Sequence, residues 1–113
     1  MILIVGGLGA GKRAYAQTLG YTPAQMSPDP AAACPVLYDV QALVPARADG
    51  GLPLLPALLQ KEVLICNEVG CGVVPTGADA RIWREEVGRL CVELARRAAH
   101  VVRIQCGLPV CLK

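Results

Sequence analysis

The residues best suited to chemistry stand near the start of the chain, where Gly6-Gly7-Leu8-Gly9-Ala10-Gly11-Lys12-Arg13 follows the apolar run Ile2-Leu3-Ile4-Val5. This stretch follows the phosphate-loop pattern G-x-x-x-x-G-K-[ST] up to its last position. A glycine-rich turn between a strand and a helix aims backbone N–H groups at one point, and Lys12 adds a positive charge that reaches terminal phosphates. Gly6, Gly7, Leu8, Gly9, Ala10, Gly11, Lys12 and Arg13 are therefore the expected nucleotide-binding loop, with Lys12 as the catalytic candidate. The last position of the pattern ordinarily supplies a hydroxyl to Mg²⁺. Arg13 is cationic and cannot ligate a metal, although its guanidinium can meet a phosphate oxygen. The loop predicts phosphate binding and lacks one usual support for phosphoryl transfer.

Further polar groups fall where strands should end. Asp39 closes the run Val36-Leu37-Tyr38, and Asn67-Glu68 follows Val63-Leu64-Ile65-Cys66. A phosphate loop plus a strand-end carboxylate is the smallest arrangement that holds a Mg-nucleotide, so Asp39 is the candidate nucleotide and Mg²⁺ contact. Asn67 and Glu68 are the candidate substrate or loop site. For Asp39 a helix cap or loop anchor, and for Glu68 a solvated loop acid, are equally good readings. His100 is expected to cap the C-terminus of the helix before it, where a cation is favoured. Six cysteines without C-x-x-C spacing argue against a structural metal and read mainly as small buried hydrophobes.

These groups need a scaffold of alternating strands and helices. Ile2 to Val5 is a short aliphatic strand of the kind buried on both faces of a parallel sheet. A short helix follows over residues 11–19, then a Pro/Ser/Asp-bearing loop from Tyr21 to Pro35. Strands are expected at Val36 to Val40 and Val63 to Cys66, with a short helix over Leu54 to Gln60. Residues 67–75 form a structured loop at a strand's C-terminal edge, where open α/β sheets bind ligands. The best helix runs over residues 78–99, with Trp83, Val87, Leu90, Cys91, Leu94 and Ala98 on one face. Val101 to Gln105 and Val110 to Leu112 close the chain as two short strands joined through Gly107-Leu108-Pro109.

At 113 residues the chain is expected to form a single α/β nucleotide-binding domain over residues 1–113, just large enough for an abridged mononucleotide fold. Hydrophobic residues make up 54% and charged ones 18%, which argues against disorder and for a buried sheet or subunit interface. A net charge of +2 without a basic, aromatic-interleaved stretch argues against nucleic acid as a partner. No apolar run is long enough to span a membrane and the start does not resemble a leader, so a cytoplasmic location is expected.

Together these residues resemble one family. Ile-Leu-Ile-Val-Gly-Gly-x-x-x-Gly-Lys, the strand Val-Leu-Tyr-Asp, the block Asn67-Glu68-Val69-Gly70-x-Gly72-Val73-Val74-Pro75, then Arg81, Gly88-Arg89 and the ending Gly107-Leu108-Pro109-x-x-Leu112-Lys113 are similar to the bifunctional adenosylcobinamide kinase/adenosylcobinamide-phosphate guanylyltransferases. The likeness spans Met1 to Leu19 and Val36 to Lys113. It implies a RecA-like P-loop fold with a mostly parallel sheet, a trimeric assembly, GTP or ATP and Mg²⁺ as cofactors, and a place late in cobalamin biosynthesis. It also implies phosphorylation of adenosylcobinamide followed by GMP transfer through a guanylylated histidine. That histidine belongs to a segment between the first helix and the strand matching Val36 to Val40. Here the segment is reduced to Tyr21 to Pro35 and holds no histidine. The guanylyltransferase half is thus expected to be lost, and Arg13 weakens the kinase half. A shortened enzyme with surviving nucleotide binding competes with a non-catalytic subunit that binds a nucleotide or corrinoid.

Overall fold

The computed structural model describes residues 1–69 and 77–113. The expectation of a glycine-bearing loop over residues 67–75 falls mostly outside them. Strand β1 (Ile2–Gly6) leads through the glycine loop into helix α1 (Lys12–Thr18). A 3-10 turn at Pro23–Gln25 precedes β2 (Met26–Ser27), and β3 (Val36–Leu37) is followed by a second 3-10 turn at Val40–Leu43. Helix α2 (Leu55–Leu58) delivers the chain into β4 (Val63–Asn67). Helix α3 (Ala78–Arg97) then leads to β5 (His100–Gln105) and β6 (Leu108–Cys111).

The strands form one sheet in the order β2-β3-β4-β1-β5-β6, parallel throughout except for β6. The expected α/β class and mostly parallel sheet are therefore present. Strand pleating sends neighbouring residues to opposite faces. Leu3, Leu64 and Val101 meet the Val87, Leu90, Leu94 and Ala98 stripe of α3, whereas Ile4, Ile65 and Val102 meet Ala16 of α1 on the other face. The phosphate loop springs from the middle of the sheet. Gly6 is required there because a Cβ at this position would lie 2.6 Å from the Ile104 carbonyl oxygen of β5. Any larger residue would wedge β1 and β5 apart.

Several sequence expectations change. The run Val36 to Val40 is not a continuous strand, because Asp39 takes a left-handed conformation (φ 54°) and turns the chain out of the sheet after Leu37. The segment from Tyr21 to Pro35 carries an extra edge strand, β2. His100 does not cap α3: the helix ends at Arg97, Ala98 is already extended, and His100 opens β5. The closing strands are one hairpin whose turn is Cys106-Gly107, both at positive φ, and Pro109 is accommodated because β6 is an edge. Among the described cysteines only Cys66 is buried; Cys34 and Cys91 are half-buried, and Cys106 and Cys111 are exposed. No described helix is long and apolar enough to cross a membrane.

Candidate functional site

The carboxyl ends of β1, β3 and β4 open onto a cleft of ≈ 260 Å³ whose wall includes Gly9, Lys12, Arg13, Tyr38, Asp39 and Asn67. Residues far apart in sequence are thus gathered on the glycine loop. Gly11 adopts φ 97°, a left-handed conformation that a side chain would disfavour, and it turns the loop into α1. Gly6, Gly7 and Ala10 form the frame behind the cleft. The Lys12 ammonium donates to the Gly7 carbonyl at 2.5 Å, and the Gly107 amide of the β5–β6 turn donates to the Ala10 carbonyl at 2.9 Å. Leu8, 91% exposed, points into solvent from the loop's crest.

Lys12 is the buried cation of the site. Burial pushes its pKa below the ordinary lysine value; Asp39 and Glu68 pull it back up, and the neighbouring Arg13 adds to the depression. Such a lysine is suited to meet an anion, because a phosphate oxygen restores the charge interaction that burial removed. Since α1 is only seven residues long, most of the site's positive charge comes from Lys12 and Arg13 rather than from a helix dipole. The Arg13 guanidinium lies over the Tyr38 ring, 4.7 Å from its centroid.

Asp39 stands in the cleft, while the Asn67-Glu68 pair is split. Asn67 lines the cleft; Glu68 forms a two-pronged ion pair with Arg103 of β5 at 2.7 and 3.1 Å. The Glu68 amide also donates to the Gly6 carbonyl, which carries the chain across the end of β1. Glu68→Gln is expected to lower stability by less than about 1 kcal/mol in urea denaturation, because the pair is partly exposed. Its nucleotide affinity by calorimetry should stay near wild type, and a tenfold loss would put Glu68 in the cleft.

Sequence reasoning overlooked Gln41, the buried polar residue behind this wall. Its side-chain oxygen accepts the Asn67 amide at 2.9 Å, its amide nitrogen donates to Asp39 at 3.4 Å, and its backbone carbonyl accepts Trp83 Nε1 at 3.0 Å. A lone glutamine between apolar neighbours gave no periodic signal. Arg103 was also overlooked, although a charge inside His-Val-Val-Arg-Ile-Gln was a visible anomaly for a covered strand.

For a protein-held Mg²⁺ the donor set is a poor match. Asp39 is the carboxylate of the cleft wall, and a guanidinium stands at the position that normally gives a hydroxyl. Among the described residues no three His, Cys, Asp or Glu side chains gather as a metal site. No chemical step is therefore assigned to a metal.

Fold and cleft together define an α/β domain that presents a glycine-rich loop and two cations at the carboxyl edge of a parallel sheet, the usual ligand position in this architecture. More narrowly, the chain belongs to the cobinamide kinase/cobinamide phosphate guanyltransferase family, whose model matches residues 35–112. That match includes Asp39, Gln41, Asn67, Glu68 and Arg103; the glycine loop precedes it. The chain is also 38% identical over 73 residues to the bifunctional adenosylcobalamin biosynthesis protein CobP of Pseudomonas aeruginosa. This alignment covers 61% of the present chain and 42% of that relative, so the chain spans less than half of the longer protein.

Proposed function

We propose that this chain binds the phosphates of GTP or ATP in the cleft formed by residues 6–13, Tyr38, Asp39 and Asn67. The observation that carries this reading is the convergence of the buried Lys12, Arg13 and Asp39 on the glycine loop. Family membership makes adenosylcobinamide the acceptor to test for a surviving kinase step, with Lys12 positioning and neutralising the phosphates. Asp39, the one carboxylate among the described residues of the cleft wall, is the residue that would meet Mg²⁺ if the nucleotide carries it in.

Guanylyl transfer through a histidine is not expected from this chain. Its single histidine, His100, pairs in register with Ile2, at the opposite end of β1 from the phosphate loop. A homo-oligomer, trimeric by family resemblance, would cover the exposed Leu108, Val110 and Leu112 on or beside the edge strand β6. The other reading, a non-catalytic subunit holding a nucleotide or corrinoid, is favoured by Arg13 and by the shortened, histidine-free segment from Tyr21 to Pro35.

Calorimetry with GTP and ATP tests the binding reading, and absence of affinity for both would end it. Formation of adenosylcobinamide phosphate from nucleotide and adenosylcobinamide separates the readings: product establishes the kinase, and binding without product establishes the non-catalytic subunit. Covalent labelling of the protein by GTP carrying a labelled α-phosphate would overturn the lost guanylyltransferase half.

A further inference from the structure

Arg13 is the unusual residue of the cleft. Among the described residues its guanidinium makes no hydrogen bond or ion pair, and its one contact of note is the face of Tyr38 at 4.7 Å. Stacking on an aromatic face leaves the edge N–H groups of a guanidinium unspent and fixes the plane in which they point. Those groups line the same wall as Lys12, and a guanidinium fork matches two oxygens of a phosphate. Among the described residues that line the cleft, the charged ones are thus Lys12, Arg13 and Asp39.

From this we infer that the cleft takes a nucleoside triphosphate as the metal-free anion, with Arg13 on its Tyr38 platform supplying the neutralisation that Mg²⁺ supplies at other phosphate loops. The inference rests on the nucleotide-binding reading above and deepens it. A fixed monovalent cation at position 13 repels a divalent ion brought to the same phosphates, whereas the hydroxyl usual there would help to hold one. Tyr38 acts as a positioning residue through its ring contact with the guanidinium, and it lines the cleft as well. Arg13 is an exposed side chain, and without the ring it would have more rotamer freedom to give up on binding.

The test is calorimetry with GTP and ATP at constant ionic strength, once in excess EDTA and once with Mg²⁺ saturating the nucleotide. Wild-type protein should bind at least as tightly in EDTA as in Mg²⁺. Arg13→Ser, which restores the residue type of the motif, should weaken binding in EDTA about tenfold, as for loss of one charge-assisted contact, and should bind more tightly once Mg²⁺ is added. Tyr38→Leu should weaken the EDTA affinity about threefold while leaving the Mg²⁺ preference unchanged in sign. Thermal unfolding of each variant confirms that it is folded. Binding by wild type only when Mg²⁺ is present overturns the inference and leaves the nucleotide reading standing, as does an Arg13→Ser protein that binds like wild type in EDTA. No binding by wild type in either buffer removes both.

Discussion

Replacing Lys12 with Ala is expected to weaken GTP or ATP binding by about a hundredfold or more, the effect of losing charge-assisted hydrogen bonds at a partly desolvated site. The same residue makes the unliganded protein less stable than it would be with a neutral side chain there. Burial lowers its pKa in the folded state, so at neutral pH the fold carries the cost of a buried ammonium. At low pH both states hold the proton and the cost is fully present. As pH rises through the lowered folded value, the native state releases the proton first and stability increases, until the unfolded chain titrates near its ordinary value of 10.5. Nucleotide affinity should move the other way across the same alkaline window, because the phosphates lose their cation. Lys12→Met, which keeps the apolar stem, should flatten both curves. Urea denaturation and calorimetry at matched pH values supply the two measurements. Stability and affinity falling together with pH in the wild type would mean that Lys12 is not the group that couples them.

The parts of this site that the sequence made legible are those set by local covalent geometry. A glycine-rich turn with a lysine after an aliphatic strand constrains its own backbone, so residues 6–13 could be placed without knowing their surroundings. The α3 stripe was legible for a similar reason, since a period of three to four residues shows which side must be buried. Tertiary partners decided what was misread. Val36 to Val40 has the composition of a strand, yet the left-handed Asp39 and the tethered Gln41 draw the chain into a 3-10 turn after Leu37. The contact of Arg13 with Tyr38 joins residues 25 positions apart, and no local pattern marks it. Glu68 had the chemistry of a cleft acid, but Arg103, supplied by a strand on the far side of β1, commits it to an ion pair. Composition also overstated the burial of the cysteines: a thiol is compatible with both sides of a surface, and among the described cysteines only Cys66, in a central strand, is fully covered.

Gln41→Leu is expected to cost about 1–3 kcal/mol of folding stability, because the Asn67 amide loses its acceptor at a partly buried place. The substitution nearly preserves volume, so the loss should come from hydrogen bonding rather than from a cavity. Nucleotide affinity should fall as well. The same side chain holds Asp39 at 3.4 Å and the end of β4 at Asn67, and both residues line the cleft although Gln41 does not. Gln41→Glu alters the contact with Asp39. It keeps an oxygen for the Asn67 amide but turns the donor facing Asp39 into a second carboxylate at a buried position, so stability at neutral pH should fall as well. Repulsion between the paired acids should then displace Asp39 and weaken nucleotide binding at neutral pH, with recovery as acidification protonates one of the two. Urea midpoints at unchanged m-value give the stability difference, and calorimetry gives the affinity. A leucine variant as stable as wild type would show that water satisfies the Asn67 amide, and would reduce Gln41 from the brace of the cleft wall to a bystander.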